Sequence, residues 1–266
     1  MNVLVSVASS DYIKYFLPMI QSAIDEGKWD GDFCLIVKDD IEWEVEQELK
    51  SKGIHIFKAS HLPENPTIHW YKIYLFDEYF KKWDWILYCD LDVLFLNPIE
   101  LNLSERDKKL IYTKKDDLTF MEHFSIKESE EKQKIYKKYG NGDAIQTCFL
   151  LFHSSMIDSN YFEKLYDAYL YYYCKYKLNK NVWWDQSIFN IVFFKKWLDI
   201  GFEFIAINPI MNQLEWDLSK LNNPYMDTAD YSNTTALHFF NFATPWDEKN
   251  LRFYPIWKKY NKKTIQ

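Results

Sequence analysis

The sequence predicts an α/β protein built on a largely parallel sheet. Short apolar runs that read as buried strands alternate with segments of helical periodicity from the N-terminus to position 92, the pattern of strand–helix–strand units. No Pro/Gly/Ser-rich linker, internal repeat or low-complexity tract interrupts that order, so a single domain over residues 1–266 is expected.

The run "NVLVSVAS" predicts the first buried strand. "DYIKYFLPMIQSAIDEG" follows with Tyr12, Phe16, Met19, Ile20 and Ala23 at helical spacing, and Gly27 is the expected stop. "DFCLIVKDD" predicts a second strand, "IEWEVEQELKSKG" a second helix and "IHIFKAS" a third strand. Residues 70–82 read as helical and "DWILYCDLD" as a strand. Further on, residues 127–139 predict an exposed charged helix and "GNGD" a loop. "AIQTCFLLF" reads as one more buried strand. "YFEKLYDAYLYYYCKYK" reads as an amphipathic helix whose Tyr161, Leu165, Tyr169, Tyr172 and Tyr176 pack inward.

Composition narrows the function classes. The chain is 48% hydrophobic and 27% charged, enough apolar residue for a sizeable core. Aromatics make up 19%, with 20 Tyr, 20 Phe and 11 Trp, residues that fill cores and also stack on nucleobases and sugar rings. A net charge of −7 argues against nucleic acid as a partner. The Lys residues of "WKKYNKKTIQ" form a basic tail, read as solvated, with weak membrane-surface contact as the alternative. Cys34, Cys89, Cys148 and Cys174 lie far apart without metal-type spacing and predict free thiols in a reducing compartment. With no signal-peptide pattern at the N-terminus and no apolar run of bilayer length, a soluble cytoplasmic protein is expected.

The chemistry centres on Asp90 and Asp92. In an extended segment residues i and i+2 point the same way, so the two carboxylates face together while Leu91 turns to the core. Adjacent carboxylates repel unless a cation lies between them, and a divalent ion with oxygen ligands such as Mn²⁺ or Mg²⁺ resolves the conflict. A haloacid-dehalogenase-type phosphatase also places such a pair after a strand. There the pair lies near the N-terminus and is followed by Thr, whereas here "VLFLNPIE" follows. A lone His238 in an apolar run reads by itself as a satisfied core residue, and Asp185 with Gln186 reads as a helix start.

Three segments in order, "YCDLDVLFLNPI", "WWDQSIFN" and "ALHFFNFATPW", resemble the motifs of the retaining GT-A glycosyltransferases grouped with glycogenin and the bacterial lipooligosaccharide galactosyltransferases (glycosyltransferase family 8). The resemblance implies a GT-A nucleotide-diphospho-sugar transferase fold, with a mainly parallel twisted sheet flanked by helices. It implies Asp90, Asp92 and His238 as ligands of Mn²⁺ (or Mg²⁺), with Asp90, Leu91 and Asp92 at the sugar-nucleotide diphosphate. Asp185 would meet the donor sugar's hydroxyls, Gln186 would lie near the anomeric carbon, and Lys72 would reach the donor. Tyr12 would stack on uracil, with Ala8, Ser9 and Asp11 lining base and ribose.

The pattern departs from the family in places. Ser9 and Ser10 stand where an acidic or amide side chain is common. Gln146-Thr147-Cys148 replaces Asn-Ser/Ala-Gly, so Gln146 becomes the donor-lining residue. Asn241 replaces a Gly, and Thr244 replaces a diphosphate-binding Lys for which Lys249 or Arg252 could substitute. The implied function is transfer of glucose or galactose, with retention, from a UDP-sugar to a carbohydrate or protein-linked glycan acceptor. A sugar-nucleotide-binding module without turnover, a glycogenin-like self-glycosylating protein and a metal phosphohydrolase remain alternatives.

Overall fold

The computed structural model describes residues 1–38, 41–123, 129–175, 185–207, 233–239 and 254–261. The chain divides into two compact units, each drawn from three segments. The first comprises Met1–Ser10, Gly31–Cys89 and Asn102–Ile200, the second Asp11–Asp30, Asp90–Leu101 and Gly201–Gln266.

The first unit is organised by a seven-stranded sheet. Its strands are β1 (Val3–Ala8), β2 (Asp32–Lys38), β3 (His55–Ala59), β4 (Trp85–Cys89), β6 (Ile111–Thr113), β9 (Phe149–His153) and β10 (Trp197–Asp199), in the order β10-β6-β9-β4-β1-β2-β3. β9 runs antiparallel to both neighbours, whereas β1, β2, β3 and β4 are mutually parallel. All six residues of β1 are buried, which explains its uninterrupted apolar run. Val3, Val5 and Val7 share a core with Cys34, Ile36, Ile86, Tyr88, Leu150 and Phe152, the alternate residues of neighbouring strands. Strand order reverses at β1, which has β2 on one side and β4 on the other; this is the switch point at which open α/β sheets bind ligands. Ser6 Oγ donates to the Cys89 carbonyl at 2.6 Å and ties the carboxyl ends of β1 and β4 together.

The helical segments differ from the sequence pattern in informative ways. Residues 70–82 form two 3₁₀ helices, Ile68–Phe76 and Glu78–Lys82. They break at Asp77, which is extended and whose carboxylate accepts from the Tyr79 amide at 2.9 Å, starting a new turn. The predicted strand 144–152 is split. β8 (Asp143–Ile145) pairs instead with β7 (Lys115–Thr119), and Gln146–Cys148 bridge to β9. The tyrosine-rich helix is α4 (Tyr161–Ala168), which ends in a π-helical stretch, Tyr169–Lys175. Tyr161, Leu165 and Tyr169 are buried as expected, Tyr172 is partly buried, and Tyr176 lies outside the described residues. The remaining helices of this unit are α2 (Trp43–Ser51), α3 (Ser129–Tyr139) and α5 (Gln186–Val192).

Among the described residues, the second unit pairs the three-stranded sheet β11-β12-β5 with two helices. Its strands are β5 (Val93–Phe95), β11 (Phe204–Ile207) and β12 (Ala236–Phe239). The helices are α1 (Phe16–Asp25), preceded by a 3₁₀ turn at Ser10–Tyr15, and α6 (Tyr254–Asn261). Leu94, Leu237, Phe239, Trp257 and Tyr260 form its core. Glu26 joins the two helices through Lys259 Nζ at 2.7 Å, and the ammonium beside it holds its carboxyl below the usual carboxylate range.

Gly27 does follow α1, for a steric reason: a Cβ there would lie 2.6 Å from the Ala23 carbonyl oxygen. The left-handed residue that turns the chain away is Lys28, with φ of 52°. Among the described residues no helix is long and apolar enough to cross a membrane. Cys34, Cys89, Cys148 and Cys174 are all free thiols, and burial pushes the Cys34 thiol far above its ordinary value.

Two substitutions test this packing. Phe76 is fully buried and stacks on Phe152 with ring centroids 4.4 Å apart. Phe76→Ala is expected to cost about 3–5 kcal/mol in urea unfolding. Gly27→Ala is expected to cost about 1–3 kcal/mol, because backbone rather than a mobile side chain must yield.

Candidate functional site

In the second unit the pairing of β5 with β12 builds an acidic and imidazole cluster. β4 ends at Cys89, so Asp90 lies beyond the strand and Leu91 and Asp92 form a turn before β5. The carboxylates are therefore brought together by a turn rather than by extended alternation, and Leu91 is half-buried instead of facing the core. β12 runs antiparallel to β5 with His238 opposite Val93. The Phe239 amide then donates to the Asp92 carbonyl at 2.8 Å, which continues the pairing one residue past the strand. His238 Nε2 lies 3.4 Å from Asp92 Oδ1 and 3.7 Å from Asp90 Oδ2.

One ligand atom from each of Asp90, Asp92 and His238 lies within 4.8 Å of the others. With metal–oxygen bonds of about 2.1 Å, ligand atoms around an octahedral ion stand about 3–4 Å apart. A small contraction would seat one divalent cation, so the donor set fits the expected ion. Two carboxylates beside one imidazole also have the charge a dication needs.

In the first unit the start of α5 gathers a second polar cluster. Asp185 occupies the position before the helix, but its carboxylate does not cap the first turn. Asp185 Oδ2 instead meets Lys72 Nζ at 3.0 Å and accepts from Thr147 Oγ1 at 2.8 Å. Lys72 is only 3% exposed. It comes from the 3₁₀ helix Ile68–Phe76, donates to the Thr147 carbonyl at 3.2 Å, and lies 5.1 Å from the centre of the Tyr88 ring. Its basic side chain is thus engaged inside the protein. Gln186 Nε2 donates to Asp116 Oδ2 at 3.4 Å, and Ser187 Oγ to the His123 carbonyl at 2.6 Å. Asn190 bonds both the amide and the carbonyl of Ile145 in β8. Four residues of one short helical segment are thereby tied to several different elements.

Asp116 and His123 carry no signal in the sequence that would have singled them out. "KKDDLTF" has neither a glycine-rich turn nor ligand spacing, and the segment 115–140 matches the motif pattern only vaguely. Burial raises the affinity of the Asp116 carboxyl for its proton and lowers that of the His123 imidazole; the partner's charge opposes each shift.

The other expected residues are placed as follows. Ala8 ends β1 fully buried, and Ser9 follows it at the switch point, half-buried. Asp11 is exposed, and Tyr12 is 48% exposed with its ring edge-to-face on Tyr15 at 5.8 Å. Gln146 is half-buried, with its carbonyl accepting from Thr113 Oγ1 at 2.6 Å. Thr244, Asn241, Lys249 and Arg252 lie outside the described residues.

The Lys72–Asp185 pair yields a stability prediction. Lys72→Met leaves a buried carboxylate without its cation and is expected to cost about 3–5 kcal/mol in urea unfolding. Lys72→Met combined with Asp185→Leu should recover most of that loss, because no charge is then left unpaired.

No protein-family model matches the sequence, and no curated protein matches it in sequence. Solved structures do match the fold. The apo structure of the bifunctional glycosyltransferase WbbM aligns with a TM-score of 0.68 and 16% identity, over 97% of this chain and 49% of that one. The chain thus spans about half the length of that enzyme. The galactosyltransferase LgtC, solved with donor and acceptor sugar analogues, aligns with a TM-score of 0.63 and 16% identity, over 99% of this chain and 96% of that one. The glycosyltransferase GlyE of Streptococcus pneumoniae TIGR4 aligns with a TM-score of 0.59 and 16% identity, over 97% and 59%. What the chain shares with these proteins is its architecture: a mixed, mostly parallel twisted sheet flanked by helices, the GT-A fold of nucleotide-sugar transferases.

Proposed function

We propose that the chain is a metal-dependent, retaining hexosyltransferase, a single GT-A domain over residues 1–266. Its donor would be a UDP-sugar carrying glucose or galactose, and its acceptor a hydroxyl of a carbohydrate or protein-linked glycan. The observation that carries this reading is the convergence of Asp90, Asp92 and His238 to within 4.8 Å. The fold shared with LgtC, itself solved with donor and acceptor sugar analogues, supports it.

Asp90, Asp92 and His238 would hold Mn²⁺ in preference to Mg²⁺, because the donor set includes an imidazole. When bound, the ion supplies neutralisation of charge developing on the departing diphosphate. Asp185, with one oxygen held by Lys72 and Thr147, accepts hydrogen bonds from sugar hydroxyls through the other. In this reading Lys72 serves the donor indirectly, by holding Asp185. Gln186 supports the anomeric carbon with its carbonyl oxygen. Tyr12 stacks on uracil, Ala8, Ser9 and Asp11 line the base and ribose, and Leu91 and Gln146 line the remainder of the donor. Thr244 gives the diphosphate a neutral hydrogen bond, weaker than a lysine would give.

Transfer forms a bond from the acceptor oxygen to the anomeric carbon on the face from which UDP departs. The bond from that carbon to the β-phosphate oxygen breaks, and its electron pair stays on the phosphate. The acceptor's hydroxyl proton passes to the departing diphosphate, so the anomeric configuration is retained.

Hydrolysis of UDP-glucose or UDP-galactose without acceptor is therefore expected to require Mn²⁺ and to stop on addition of a chelator. Asp92→Asn should lower it about 100-fold or more with little change in melting temperature. Turnover that persists in chelator would remove the metal assignment. UDP binding without turnover would point to a binding module, and a mass increase of the protein itself to self-glycosylation.

Base stacking is worth roughly 1–3 kcal/mol. Tyr12→Ala should accordingly weaken UDP binding in calorimetry about ten-fold or more. An unchanged affinity would move the nucleotide pocket away from Tyr12.

A further inference from the structure

The cluster at the start of α5 contains a pair that the donor reading leaves unused. His123 ends the 3₁₀ turn Phe120–His123, is fully buried, and has no hydrogen-bond partner at either ring nitrogen. Its Nε2 lies 3.8 Å from Asp116 Oδ2, the same oxygen that accepts from Gln186 Nε2. Gln186 Oε1 is also buried and has no partner. The His123 main chain is anchored by the Ser187 hydroxyl, so the imidazole is tied to the residue that follows Gln186.

These unpaired atoms share a chemical logic. An ionised carboxylate only accepts, so Asp116 can bind the Gln186 amide only through its NH₂ group. That leaves Oε1 as the free end of the amide. A protonated Asp116 would donate, and the amide could then turn to present Nε2 instead. A buried nitrogen without a partner costs about 1–3 kcal/mol, which favours closing the 3.8 Å gap into a hydrogen bond.

We propose that His123 and Asp116 form a positioning pair that fixes the Gln186 amide with Oε1 directed to the sugar donor. The proposal rests on the assignment of Gln186 to the donor. The charged groups acting on the pair are consistent with it. His123 faces Asp116 from β7, Glu122 from its own turn and Asp185 from the start of α5, and all three favour a proton on the ring while burial opposes it. Asp116 has Asp117 beside it, which opposes its ionisation, and His123, which favours it. The Leu118 amide, which donates to Asp116 Oδ1 at 2.9 Å, also favours the ionised carboxyl. A neutral His123 ring can still donate one N–H to that carboxylate.

The test uses the full chain with Mn²⁺ and compares wild type with His123→Phe, His123→Gln and Asp116→Asn. Histidine ¹⁵N resonances, assigned by loss of one signal in His123→Phe, should show a ring that stays neutral below the ordinary imidazole range. Asp116→Asn should shift those resonances. The Gln186 side-chain NH₂ signals, assigned by their loss in Gln186→Met, should lose protection from exchange in both His123→Phe and Asp116→Asn. In UDP-sugar hydrolysis, His123→Phe should lower kcat about ten-fold or more while KM and UDP affinity stay within about two-fold. His123→Gln retains an N–H donor, should restore much of that loss, and carries the comparison if the Phe variant fails to fold. A His123 resonance indifferent to Asp116→Asn, or an unchanged Gln186 amide in every variant, overturns the pair whether or not a sugar donor is turned over. Absence of turnover by wild type with both spectroscopic signatures present would instead overturn the donor reading alone.

Discussion

Lys72 and Asp185 meet inside the first unit with their charged atoms 3.0 Å apart and almost no contact with water. Removing such ions from solvent costs several kcal/mol each, and their attraction offsets this only if the geometry is held. The Thr147 hydroxyl and carbonyl, and the face of Tyr88, complete the enclosure. Everything that places either charge is therefore coupled to the other. The 3₁₀ helix that carries Lys72 is itself core, with Trp70, Tyr71, Ile73, Leu75 and Phe76 buried around it. Moving the start of α5 away would strand a charge, so Gln186 and Ser187 inherit a fixed backbone.

The second unit reaches its polar cluster by a different route. Strand register places His238 opposite Val93, and one further backbone bond, from Phe239 to Asp92, sets the carboxylate turn beside the imidazole. A slip of one residue would turn His238 to the other face and replace it with an apolar neighbour. Leu94, Leu237 and Phe239, packed on Trp257 and Tyr260, oppose that slip because it would expose them. The cluster is thus specified by hydrophobic register rather than by its own polar contacts.

Among the described residues, the aromatic side chains pack largely against one another. Phe76 stacks on Phe152, Tyr161 on Phe193 and Tyr169 on Tyr173, all inside the larger core. The π-helical end of α4 belongs to the same packing, for Tyr169 and Tyr173 both lie against Trp70. Tyr12 keeps about half its surface exposed, with its ring edge-to-face on Tyr15, and Trp43 and Tyr136 are likewise exposed elsewhere.

The amino-acid order alone carries the alternation of strands and helices, the burial of β1, β2 and β4, and the resemblance that links Asp90, Asp92, Asp185 and His238. These signals are local, written in apolar runs and in motifs of a few residues, and backbone periodicity translates them directly. It did not determine that Asp90 and Asp92 share a turn, that residues 144–152 divide between two sheets, or that Lys72 faces inward. Nor did it mark Asp116 and His123, whose importance comes from burial beside Gln186 and not from any spacing along the chain. These points follow from the packing of distant segments. A carboxylate's or imidazole's role depends on which groups remove it from water, and those groups come from positions far apart in the sequence.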